Sequence, residues 1–179
     1  MIADIYDPQV WGGFFQLVGT GAAALTGLVF VSMSLNLHAI VQDDTHRYRA
    51  ICNLSGLTAI FTICAFAVMG GQNHAAVGAE ALIISIVALS IYVYGYTRAF
   101  VGAGSRVGLS LRRFVTGVSC YLIMIAGAVV LISGHITGMF VLAAAMTLNI
   151  LFFISGAWLL MVGVQQPVNR PSDPGGSTP

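Results

Sequence analysis

The sequence predicts an all-α integral membrane bundle of about five transmembrane helices, and three observations carry that prediction. The chain is 58% hydrophobic and only 7% charged, with a mean hydropathy of +0.91. Its apolar segments are long and unalternating. Its arginines fall in every second gap between them. A soluble domain carries about 25% charged residues to cover a wet surface, and seven basic and six acidic side chains cannot do that for 179 residues. In lipid the backbone must satisfy its own hydrogen bonds, which leaves helices or a closed barrel. Barrel strands read as alternating segments of ~10 residues, so the helical solution is the one that fits.

A span needs about 20 mostly apolar residues. The first runs over residues 13–39 and stops before Gln42-Asp43-Asp44. The second covers 50–70 and is closed by Gly71-Gln72-Asn73-His74. The third covers 79–100, before the polar loop Gly102-Ala103-Gly104-Ser105-Arg106. From Phe114 to Val164 the chain stays apolar for 51 residues. One helix of that length would measure about 77 Å, more than twice the ~30 Å hydrocarbon core. It must reverse at Ser133-Gly134-His135-Ile136-Thr137-Gly138, whose two glycines can supply the dihedrals of a tight turn. Spans four and five are therefore 114–133 and 139–164, completing one helical domain over 1–164. Residues 165–179 hold four of the five prolines and read as a disordered cytoplasmic tail.

Cytoplasmic segments of membrane proteins collect Arg and Lys. With five spans and the N-terminus outside, Arg47 and Arg49 lie in the first inner segment. Arg98, Arg106, Arg112 and Arg113 lie in or beside the second, and Arg170 in the tail. Asp4, Asp7 and Glu80 fall on the outer side. Trp11, Phe14 and Phe15 are expected at the outer interface; Tyr48, Tyr94, Tyr96 and Trp158 at the inner one, where amphipathic rings settle. The acidic start, Met1-Ile2-Ala3-Asp4, lacks the basic segment of a cleaved signal peptide.

On a helical wheel, Gln16, Thr20, Ala23, Gly27, Ser34 and His38 share one face of the first span, with Gly21, Ser32 and Asn36 nearly opposite. A helix that is small or polar on two sides is expected to be central, touching protein or water on both. The fifth span carries Leu142, Asn149, Gly156 and Gly163 at heptad spacing, and the second places Asn53, Gly56, Cys64, Ala67 and Gly71 on one face. Small residues let membrane helices approach closely, and Asn can bond across the contact. Gly27, Asn53, Asn149, Gly156 and Gly163 are thus packing candidates. Gln16, Thr20, Ser34, Asn36 and Glu80 are candidates to line a pore or polar face. A bland account of Glu80 is a carboxylate at the positive end of the third helix; the functional one is an acidic outer vestibule.

Little else in the chain points to chemistry. His74, Glu80 and His135 all fall on the outer side, and two His with a carboxylate form a zinc-type ligand set, but no short signature links them; solvated loop histidines are the ordinary reading. Cys52, Cys64 and Cys120 lie apart in apolar runs, where Cys behaves as a small hydrophobe. No catalytic constellation is visible, no cofactor is implied, and there is no basic cluster suited to nucleic acid.

The stretch Trp11…Phe14…Gly27-Leu28-Val29-Phe30-Val31-Ser32-Met33-Ser34-Leu35-Asn36, with Gly71-Gln72…Glu80 and Arg112-Arg113 later, resembles a group of small bacterial membrane proteins. Some members of that group carry the label "modulator of FtsH protease". The resemblance covers most of the spans. It implies a non-enzymatic protein of the bacterial inner membrane and brings no catalytic residues. Two functions are then open. One is a homo-oligomeric, cation-permeable channel with an acidic outer rim. The other is a regulatory or scaffold subunit of a membrane complex such as a protease or transporter. The partners expected are the lipid bilayer, further copies of the chain and another membrane protein.

The topology has a direct check. Cysteine labelling or reporter fusions after Gln72 and after Gly134 are expected to report the outside, and tags after Arg106 and Pro179 the cytoplasm. Both chain ends on one side would refute an odd number of spans.

Overall fold

A computed structural model describes residues 6–35, 44–102 and 107–164. Among the described residues there are five helices, α1 (Pro8–Leu35), α2 (Asp44–Ala67), α3 (His74–Gly102), α4 (Val107–Ile132) and α5 (Thr137–Val164). Each is long and apolar enough to cross a membrane. The shortest has 24 residues, about 36 Å of helix, enough for the ~30 Å core. The protein is a multi-pass, all-helical membrane protein. Asn36, His38, Arg106, Arg170 and the segment from Gln165 lie outside the described residues, as do the surroundings of Gly163.

The helices begin earlier than the hydropathy of their spans suggests, because polar residues cap them. The Asp7 carboxylate accepts from the Gln9 N–H at 2.8 Å, and its carbonyl accepts from Trp11 at 3.1 Å. Asp7 is thus the cap and Pro8 the first helical residue, a position where a missing N–H costs nothing. Asn73 caps α3 in the same way, its side chain accepting from the Ala76 N–H at 2.8 Å. The α4–α5 reversal is a Schellman turn: Gly134 has φ +81°, its N–H donates to Leu131 and the His135 N–H donates to Val130. Only one of the two glycines expected to shape this turn does so. Gly138 lies inside α5, where its bare Cα faces the α4 backbone; a Cβ there would sit 2.4 Å from the Leu131 nitrogen. Gly71 likewise leaves the packing face of α2 and serves the α2–α3 turn, with φ +82°.

Consecutive helices pack against each other, and α5 returns to α2, so that α2–α5 close a four-helix ring. α1 lies against α2 and, less extensively, α5. The N-terminus is pinned where the Tyr6 hydroxyl donates to the Ala67 carbonyl. Burial and the neighbouring Asp7 push that phenol up from its usual range, further still from ionisation. At the same end Trp11 meets Phe140, with ring centroids 5.0 Å apart. Phe15, expected at the interface, is instead in the core at 1% exposure.

The core is built by seating rings on glycines. Phe153 of α5 covers Gly56 of α2, and Tyr92 of α3 covers Gly117 of α4; a Cβ at either glycine would come within 2.1 Å of the ring or its hydroxyl. Gly127 and Gly138 bring the α4 and α5 backbones together, with Leu131 and Leu142 fully buried beside them.

The expectation that the first span is central is corrected. α1 is the least buried of the five and α2 the most. The physical reason is that polar groups of α1 satisfy themselves: Thr26 donates to the Ala22 carbonyl and Ser34 to the Phe30 carbonyl, one turn back. Such hydroxyls need no neighbour, so a polar wheel does not require a central place.

Gly117→Leu is expected to displace the Tyr92 ring and lower stability by about 1–3 kcal/mol, the usual cost of overpacking. Gly27→Leu, at a glycine with nothing within 4 Å, is expected to leave the stability of a single chain unchanged. Thermal melting of the two variants in detergent compares them.

Candidate functional site

Antiparallel packing brings the arginines of three helices to one end of the ring. Arg47 and Arg49 begin α2, Arg98 approaches the end of α3, and Arg112 and Arg113 lie in the first two turns of α4. Asp7 and Glu80 are at the opposite end. Between the helices at the arginine end is a cleft of about 360 Å³, entered past Arg49, Arg112 and Arg113 and floored by Asn53, Tyr92 and Gly156.

Each helix supplies one part of it. Arg113 reaches across from α4 to α5, donating to the Phe152 carbonyl at 3.2 Å and the Ser155 hydroxyl at 3.3 Å, with its guanidinium 4.8 Å from the centre of the Phe152 ring. The Tyr92 hydroxyl donates to the Arg113 carbonyl at 3.1 Å, fixing α3 to α4 at this depth. Tyr92 and Tyr96 are one turn apart on α3, their rings 4.7 Å apart. Asn53 of α2 is 7% exposed and, among the described residues, has no hydrogen-bond partner. Gly156 of α5 makes room for both polar groups: a Cβ there would lie 2.5 Å from an Arg113 nitrogen and 2.6 Å from the Asn53 oxygen.

A polar layer lies deeper in the ring. Asn149 donates to the Met124 sulfur at 2.7 Å, while its oxygen, the Tyr121 hydroxyl and the Ser85 hydroxyl are buried without partners among the described residues. Around them the centre is occupied by Phe153, Met124, Met146 and Leu142, all at 1% exposure or less. A second groove, about 430 Å³, runs between α2 and α3 past Leu54, Thr58, Ile84 and Ile91. It is nearly all apolar.

At the far end the Gln72 amide donates to both Glu80 oxygens, at 3.0 and 3.1 Å. This pairing, across the α2–α3 turn, separates Glu80 from the α1 residues proposed with it. Gln16, Thr20 and Ser34 are exposed on α1, whereas α3 packs against α2 and α4. One chain therefore does not gather the pore candidates into one lining. Nor do His74, Glu80 and His135 converge: among the described residues no three His, Cys, Asp or Glu side chains come together to hold a metal ion. Asn53, Asn149 and Gly156 sit inside helix contacts; Gly27 meets nothing in its own chain.

Sequence reasoning assigned Tyr96 to the interfacial belt, and the structure moves it into the cleft at 5% exposure, while Tyr94 and Trp158 stay outside at 55% and 67%. The i, i+4 spacing of Tyr92 and Tyr96 on one face was the available signal. Its partners on α2 and α4 carried none. No family model, curated protein or solved structure matches this chain.

Gly156→Leu is expected to push Arg113 and Asn53 apart and to lower stability by about 1–3 kcal/mol. The melting temperature of the detergent-solubilised variant measures this, and an unchanged value would mean that the α2–α5 contact yields freely.

Proposed function

We propose that the protein is a non-enzymatic subunit of a membrane assembly, a regulatory or scaffold component that associates through α1 with further copies of itself. The observation that carries this reading is the outer face of α1. Gly13, Thr20, Gly27 and Ser34 follow one another at intervals of seven residues, Gln16 and Ala23 lie beside them, and all six are exposed in the single chain. Such a stripe of small and polar side chains suits close helix approach in lipid better than contact with acyl chains. A heptad interval keeps the stripe in register on two helices that wind around each other with a left-handed twist. Because the stripe is one surface repeated on each copy, a two-fold α1–α1 contact is self-complementary.

The proposed setting is the bacterial inner membrane, with the N-terminus outside and the arginine end in the cytoplasm. The positive-inside rule supports that orientation, and the resemblance to the group labelled protease modulators supports the setting and the regulatory role. A cation-permeable oligomer is the second reading. What favours it is that Gln16, Thr20 and Ser34 could line a path between copies; that α3, which carries Glu80, packs mainly against α2 and α4 weighs against it.

In a background whose three native cysteines are replaced by Ala, Thr20→Cys and Gly27→Cys are expected to form disulfide-linked dimers in membranes. Val87→Cys, exposed on α3, serves as the control and is expected not to. Cross-linking at Val87 alone would refute the α1 contact. Reconstituted wild-type protein that conducts cations, with Glu80→Gln lowering that conductance most at low salt where charge is least screened, would replace the regulatory reading with the pore.

A further inference from the structure

We infer that the cleft among α2, α3, α4 and α5 is a binding site for a phosphate-bearing anion. The site takes no residue from α1, so it stands independently of the assembly through that helix. Three guanidinium groups, Arg49, Arg112 and Arg113, border one cleft. Arg113 is tied down by α5, but among the described residues no hydrogen bond or ion pair engages the guanidinium of Arg49 or of Arg112, whose carbonyl alone accepts from Thr116. A guanidinium presents its donors in a planar fork that matches phosphate oxygens, which makes paired arginines a strong receptor for that group.

Positive charge at this end of a membrane protein also has a plain topogenic explanation, and the arginines alone do not make a site. The second observation is Asn53. It is more than nine-tenths buried, lines the same cleft and has no hydrogen-bond partner among the described residues. Its amide is not sealed in the core with the orphaned polar atoms of Asn149, Tyr121 and Ser85 but opens into the cleft, where a ligand can reach it. An anion oxygen seated between the Asn53 amide and the guanidinium forks satisfies both. The third is Gly156, whose missing side chain lets Asn53 and Arg113 come together on one wall of the cleft: both crowd its bare Cα. The aromatic wall of Tyr92, Tyr96 and Phe152 gives an apolar neighbour to whatever carries the phosphate. A volume of about 360 Å³ is at the lower end of small-ligand pockets, enough for a headgroup or a small phosphorylated molecule.

The phosphate has two possible sources, a lipid headgroup entering at the membrane surface and a soluble ion from the aqueous side. Basic pockets between transmembrane helices are a common way to hold anionic headgroups. Full-length protein is reconstituted in phosphatidylcholine nanodiscs doped with phosphatidic acid, and the lipids that remain bound are read by native mass spectrometry. Melting of the same protein in detergent is followed with added pyrophosphate or inorganic phosphate. Retention of phosphatidic acid over phosphatidylcholine, reduced about tenfold by Arg49→Gln/Arg112→Gln, supports the site with a lipid as its source. Stabilisation by pyrophosphate or phosphate that the same double variant abolishes supports it with a soluble one. Arg47→Gln/Arg98→Gln removes the same charge at the same end but outside the cleft, and is expected to leave both readouts near wild type. Asn53→Ala is expected to weaken binding without changing the net charge, and it decides the matter if the double variant does not fold. Equal losses in the two arginine pairs, or wild-type protein that prefers neither phosphatidic acid nor the soluble phosphates, would overturn the assignment.

Discussion

Close approach of helix backbones is the constraint on which this bundle depends. In water, burying Phe153 or Leu142 would by itself drive folding; in lipid those side chains are as comfortable outside as in, so association must come from van der Waals contact and shared hydrogen bonds. That places the weight on surfaces that fit. Gly56 under Phe153, Gly117 under Tyr92 and the Gly127–Gly138 contact each remove a side chain where a ring or a backbone must enter. Each joins a different pair of helices, and together they span three of the four contacts that close the α2–α5 ring. The remaining contact, α2 with α3, uses the same device at Gly95, where a Cβ would lie 2.5 Å from the Cys52 sulfur.

The cleft follows from this packing. Tyr92 covers Gly117 with the hydroxyl end of its ring, and that hydroxyl meets the Arg113 carbonyl one turn away. Arg113 can cross to α5 only because Gly156 offers no Cβ, and the same gap receives Asn53. Substituting Tyr92, Gly117, Arg113 or Gly156 therefore disturbs a helix contact and the cleft together. Arg49 and Arg112 are different. They border the cleft without supporting the packing, which is why they are the positions where binding and folding can be tested apart.

Five helices, their order and the separation of charge were legible in the sequence, because hydropathy and the arginine pattern report lipid exposure residue by residue. Helix starts were displaced, since Asp7 and Asn73 cap helices about a turn before the residues at which the apolar runs were taken to begin. The cleft was hidden for a different reason. Its residues come from four helices, and no single helix shows them as a motif: Asn53 and Gly156 looked like packing positions, Tyr96 like a belt residue and the arginines like topology signals. Each of those local readings has a physical basis, but only their convergence implies a ligand. The misplacement of α1 has its own lesson. A helix wheel counts Thr and Ser as polar, whereas Thr26 and Ser34 spend their hydroxyls on carbonyls of their own helix.

The two features that lack partners in the single chain, the α1 stripe and the cleft, differ in what could complete them. The stripe consists of small and neutral side chains, and a neighbouring helix of the same kind completes it by contact alone. The cleft is cationic, recessed and partly apolar, and another helix laid across it would leave charged guanidinium groups buried and unpaired, the costliest arrangement available in lipid. An anion, as proposed above, completes the cleft by pairing those charges. The fold thus separates the two tasks on different helices: α1 meets a neighbour from outside the ring, while α2–α5 enclose the charged site. α2 and α5 contact α1 and also line the cleft, through Asn53 and Gly156. Among the described residues α1 contributes nothing to the cleft wall, so these two helices are the direct link between assembly and binding.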